Sequence, residues 1–119
     1  MRAGRGHELA LAILARGELV ITAAGASMEP TVAIGTRVRV VRAAAAVGDV
    51  GLFRVPSGFV LHRIVARLPG GLLVHAGDRP GARAGLAREA TLLGRADLPR
   101  RTPSLGARAS ALLRALLAR

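Results

Sequence analysis

The stretch Gly25-Ala26-Ser27-Met28-Glu29-Pro30-Thr31 sets a serine after small residues and three positions before a proline. Small neighbours let another chain approach the hydroxyl closely, and Pro30, which cannot donate a ladder hydrogen bond, marks a turn or strand edge. Such a serine is a nucleophile where a base reaches it and a solvated turn residue where none does. All eighteen basic residues are arginine, so a lysine amine is excluded as that base. Cysteine is absent, which removes thiol nucleophiles, disulfides and thiolate metal sites together. His7, His62 and His75 are too far apart to read as a metal motif, and neither a metal nor a cofactor is expected.

The elements that must position Ser27 follow from pattern. Residues 7–16 carry helix formers and stop at Gly17, a suitable C-terminal cap, giving an N-terminal helix over 1–17. Residues 18–22 are β-rich and deliver the chain to Ser27 as a strand. Over 36–42, Val38 and Val40 alternate with Arg37 and Arg39, the pattern of a half-buried strand. Gly48-Asp49 reads as a turn before a strand over 50–55, and Pro56-Ser57-Gly58 as the next turn. The longest β-like run, 59–68, contains His62 and is joined through Pro69-Gly70-Gly71 to a strand over 72–75. The glycine- and alanine-rich run to Ala87 reads as irregular, and 91–96 as a strand that closes the sheet. Short strands punctuated by Gly and Pro predict a mainly β fold, a small barrel or coiled sheet, over 18–98.

The tail differs. Ser104 can cap a helix within 99–119, with Leu105, Ala109, Leu112, Leu113 and Leu116 on one side and arginines elsewhere. Such a basic amphipathic helix either lies on a membrane surface or partner, or covers the domain's own core.

Composition bounds the rest. With 119 residues the chain makes one modest core, and with Phe53 and Phe59 as its only aromatics that core is aliphatic. The formal charge of +11 favours acidic partners, but no dense basic run or base-stacking aromatic supports a nucleic-acid site. The apolar run 9–15 is far shorter than the ~20 residues of a spanning helix, and Glu8, Arg16 and Glu18 spoil a secretory signal. The expectation is a cytoplasmic chain, or one peripheral at the membrane.

Three pieces fall in order: Gly25-Ala26-Ser27-Met28-Glu29-Pro30-Thr31, then Gly48-Asp49-Val50, then Leu61-His62-Arg63-Ile64-Val65, with Gly77-Asp78 after them. Over residues 18–96 this set resembles the type I signal peptidase and LexA-like serine peptidase superfamily, most closely its serine–histidine branch. The resemblance implies a small peptidase domain in which Ser27 is the nucleophile and its backbone N–H part of an oxyanion hole. It makes His62 the base, which suits an imidazole whose ordinary pKa of ~6.5 lets it take and return a proton. Met28 would pack beneath the site and, with Ala26, face the substrate. Gly48-Asp49 matches a structural turn whose carboxylate accepts backbone hydrogen bonds. Asp78 fills the first of two acidic positions and either orients His62 as a third member or holds its own loop; the second position, around Arg83 and Ala84, is not acidic. His7 and His75 match nothing in the pattern and read as structural.

The resulting expectation is a serine endopeptidase that cleaves an extended leader or peptide after a small residue, with no nucleic-acid partner. The competing expectation is a lapsed peptidase fold that binds a peptide or protein. A self-cleaving regulator is disfavoured, since no lysine base and no DNA-binding module is present.

Overall fold

The computed structural model describes residues 12–118. It holds seven strands: β1 (Glu18–Thr22), β2 (Arg37–Val41), β3 (Val50–Val55), β4 (Gly58–Leu68), β5 (Leu72–Ala76), β6 (Ala84–Arg88) and β7 (Leu92–Ala96), followed by helix α1 (Leu105–Leu117). They form one antiparallel sheet in the order β1-β2-β7-β3-β4-β5-β6, curled into a half-barrel. The mainly β architecture and the C-terminal helix expected from sequence are both present. Of the expected N-terminal helix, residues 12–14 are helical and lead into a turn ending at Gly17; the remainder lies outside the described residues. Among the described residues no helix is long and apolar enough to cross a membrane.

Two segments differ from the sequence reading. Residues 84–88, expected to be irregular, form β6 and pair along β5 from Leu72↔Arg88 to Ala76↔Ala84. Ala and Gly have little intrinsic strand preference, so this strand exists through its partner and through α1, which packs across it. The final strand does not close an edge. A single 3₁₀ turn at Glu89–Thr91 redirects the chain so that β7 inserts between β2 and β3.

Burial explains the central position of β3, whose first four residues are all buried. One face of the sheet carries Phe53, Ile64 and Leu73, covered by Ala45 and Val47 from the connector after β2. The other carries Val50, Leu52, Val38 and Val40 with Met28, Val32 and Leu14. Farther along that second face, Val74, Ala76 and Ala84 meet α1.

The helix is capped by Ser104, whose Oγ accepts a hydrogen bond from Ala107 N–H at 3.1 Å. Its buried residues are Ala111 and Ala115, with the expected Leu112 half-buried against the same cluster, whereas Leu105 is 81 % exposed and Leu113 58 %. Methyl groups let the helix lie close on the small residues Ala76 and Ala84, which a leucine stripe would hold away.

Candidate active site

Ser27 sits in a tight turn: Glu29 N–H donates to the Ala26 carbonyl at 3.0 Å and Val32 N–H to the Met28 carbonyl at 2.9 Å. Met28 anchors this turn in the core with Val32, Val38, Val50 and Ala96. Among the described residues the N–H groups of Ser27 and Met28 donate to no backbone carbonyl. The turn borders an apolar groove of about 380 Å³ lined by Ile21, Ser27, Met28, Leu52, Phe59 and Leu61. Ala23, Ala24 and Gly25 line it too, whereas Ala26 is taken up in the turn. Among the described residues β1, which leads into this segment, pairs with β2 alone and stands at one end of the sheet.

The same turn is held against the loop after β5. Arg79 N–H donates to the Ser27 carbonyl at 2.9 Å. Gly77 approaches so closely that a Cβ there would lie 2.3 Å from that carbonyl oxygen. Because Ala76 pairs with Arg63, Gly77 stands at the level of His62, so the Ser27 turn meets the end of the β4–β5 hairpin where His62 resides. Gly77→Ala is therefore expected to displace the Ser27 turn and cost about 1–3 kcal/mol, the usual penalty of overpacking, read as a lower urea midpoint.

Asp78 is committed elsewhere. Its side chain is 3 % exposed and takes Arg63 Nε at 3.1 Å and Arg63 Nη2 at 2.6 Å, a bidentate pair with a guanidinium that is itself 6 % exposed. Thr31 Oγ1 donates to it at 2.5 Å and Arg101 lies 3.2 Å away. Burial alone would raise this carboxyl, but the hydrogen bonds from Arg63 and Thr31, with the charges of Arg63 and Arg101, hold it below the usual range. The remaining Arg63 donor, Nη1, reaches the carbonyls of Gly48 at 2.9 Å and Pro99 at 2.8 Å. Arg63 thus ties three segments to β4, and Arg63→Met is expected to lose about 3–5 kcal/mol in chemical denaturation by leaving Asp78 buried without its main partner.

Asp49 plays the part its turn suggests. Its Oδ2 accepts Ala46 N–H at 2.9 Å, and Arg100 grips both oxygens at 2.9 and 3.1 Å. The Arg100 hydrogen bonds keep its carboxyl low, against the opposing effect of burial and with help from the Ala46 N–H.

His62 finds its partner across the hairpin, and sequence reasoning missed it. His62 Nδ1 lies 2.8 Å from Nδ1 of His75, and both rings are buried. His75 stacks on Phe53 with ring centroids 4.6 Å apart. Burial, then the neighbouring charge of His75, lowers the His62 pKa from 6.5 to about 4, with Asp78 pulling the other way. Burial alone brings His75 to about 4. Both rings are therefore neutral at pH 7.

Among the described residues no hydrogen bond joins Ser27 to His62 or Asp78 to His62. Nor is Ser27 Oγ or His62 Nε2 among the buried, unpartnered side-chain atoms, which are Nε of Arg108 and Arg114. No group of His, Asp or Glu among the described residues has metal-binding geometry. No family model, no curated protein and no solved structure matches the chain. A curled antiparallel half-barrel hosts many activities, so function has to be read from the site.

Proposed function

We propose that this chain is a serine endopeptidase of the signal peptidase type, with Ser27 as nucleophile and His62 as base, acting on an extended peptide at a small residue. One observation carries the reading: a serine turn with two N–H groups that donate to no backbone carbonyl among the described residues borders an apolar groove and packs against the hairpin end that bears a neutral imidazole. An extended segment laid along the outer edge of β1 would gain main-chain hydrogen bonds, and the apolar wall that includes Ile21, Leu52 and Leu61 would receive its side chains.

On this reading Ser27 Oγ bonds to the scissile carbonyl carbon while its proton passes to His62 Nε2. The N–H groups of Ser27 and Met28 receive the developing oxyanion, the C–N bond breaks, and the proton leaves with the amine. Water then follows the same route to release the acid and restore the hydroxyl. Catalytic hydrogen bonds are commonly long or poorly aligned until substrate is bound, so the reading does not require a Ser27–His62 hydrogen bond in the free protein.

The second reading, a peptidase scaffold that binds a peptide without cutting it, draws on the missing Ser27–His62 hydrogen bond. Both are tested by exposing the protein to a fluorophosphonate and to a peptide library rich in Ala, Gly and Ser. The peptidase reading expects label on Ser27 and cleavage after small residues. A folded protein that retains peptides yet shows neither label nor cleavage establishes the binder instead.

A further inference from the structure

We propose that His75 is the positioning residue of this site, holding His62 through its Nδ1 in the place commonly filled by a carboxylate; the inference rests on the peptidase reading above. Three observations support it. The Nδ1–Nδ1 separation of 2.8 Å is a full hydrogen bond between two buried rings. His75 is itself fixed, on one side by the stack on Phe53 and on the other by Gly85, where a Cβ would lie 2.8 Å from Cε1 and 2.9 Å from Nε2. Asp78, the sequence candidate for this role, has both oxygens occupied by Arg63, Thr31 and Arg101.

The geometry constrains the protons. Two Nδ1 atoms can share a hydrogen bond only if one carries hydrogen and the other a lone pair. For His62 to accept the Ser27 proton at Nε2, its hydrogen must reside on Nδ1, so His75 accepts at Nδ1 and carries its own hydrogen on Nε2. When His62 gains the serine proton it becomes a two-donor cation, and its bond to His75 becomes charge-assisted. His75 stays neutral throughout, since burial disfavours two adjacent charged rings. The surrounding groups are Phe53 from β3, Gly85 from β6, and Asp78 from the loop after β5, whose charge is matched by Arg63 and Arg101. A neutral orienter stabilises the cation less than a carboxylate would, which predicts an acid limb lower than that of a His–Asp pair.

Nitrogen-15 NMR of the histidine rings at pH 7, read beside steady-state kinetics, tests this. In the wild-type protein His62 is expected as the Nδ1–H tautomer and His75 as Nε2–H. His75→Phe, which keeps the stack, should release His62 from that tautomer and lower kcat roughly 10²-fold with KM little changed. His75→Asn, whose amide oxygen reaches the Nδ1 position, should recover most of the loss. His75→Asp should move the acid limb of kcat/KM upward by at least about one pH unit. An acid limb unmoved by His75→Asp, or a kcat unmoved by His75→Phe, overturns the proposal while leaving the peptidase reading intact, whereas an Nε2–H tautomer on wild-type His62 overturns both, since that nitrogen could not then take the serine proton. The expected tautomers in a protein without hydrolysis would remove the peptidase reading instead and leave the positioning contact standing.

Discussion

Ser27→Ala and His62→Ala are each expected to lower turnover about 10³-fold or more, and the double variant to lose little beyond either single one. On the proposed mechanism nucleophile and base act as a unit: without the hydroxyl there is nothing for the imidazole to deprotonate, and without the imidazole the hydroxyl stays protonated. Peptide affinity should survive Ser27→Ala, because the apolar groove and the edge of β1 are untouched. The pH profile separates this mechanism from a generic histidine effect. With the His62 pKa lowered to about 4, first by burial and then by His75, the base is already neutral in mild acid. Consequently kcat/KM should hold level from neutrality down to about pH 5 in the short assays where the fold persists. The low basicity has a cost: proton transfer from serine would be less driven than to an imidazole near 6.5, so the expected turnover is slow. A limb centred near 6.5, or a Ser27→Ala protein that still cuts, would sink the assignment.

The second large effect is on stability in acid. Both His62 and His75 have folded values near 4 against 6.5 unfolded, so between those limits the unfolded chain binds more protons. Their contribution is intact above about 6.5 and shrinks as pH falls toward 4. By pH 5 the loss is about 2 kcal/mol for each ring, and by pH 4 about 3, several kcal/mol for the pair. Asp49 and Asp78, held low, add a separate window: their contribution persists above the ordinary carboxylate range and disappears only as pH drops through their depressed values. Urea midpoints at pH 7, 6, 5 and 4 should therefore fall steeply before Asp49 or Asp78 is protonated. The His62→Leu, His75→Phe double variant should flatten that fall, and a wild-type midpoint constant from pH 7 to 5 would contradict it.

Much of the local structure was legible because it is encoded in adjacent residues. Ser104 and the helix after it, the turn at Gly48-Asp49 and the hairpin at Pro69-Gly70-Gly71 each rest on short-range chemistry. What escaped was non-local. The insertion of β7 between β2 and β3 depends on pairings such as Leu52↔Gly94 and Val40↔Ala96, which no local pattern announces. The face chosen by α1 depends on how closely small residues across the sheet let it approach.

His75 is the clearest case. Counting back from the hairpin turn, Leu68 pairs with Leu72 and Ala66 with Val74, so an unbroken ladder would set His75 opposite Val65, on the other side of the sheet from His62. A bulge between Ile64 and Ala66 shifts the register by one, and His75 comes opposite Ile64 instead. Since a one-residue slip exchanges the two faces, that single extra residue is what brings the imidazoles together. No count along the sequence would have found it without knowing where the ladder breaks.

The strap that runs from Pro99 to Arg101 reaches the β4 arginine through the Pro99 carbonyl, Asp49 through Arg100, and both Gly48 and Asp78 through Arg101. Trimming the polypeptide from its rear past this point would cut all of these tethers in one stroke. Damage to that tail would then be felt as a loosened footing beneath the Ser27 turn, which makes the tail a brace for this part of the fold rather than an appendage.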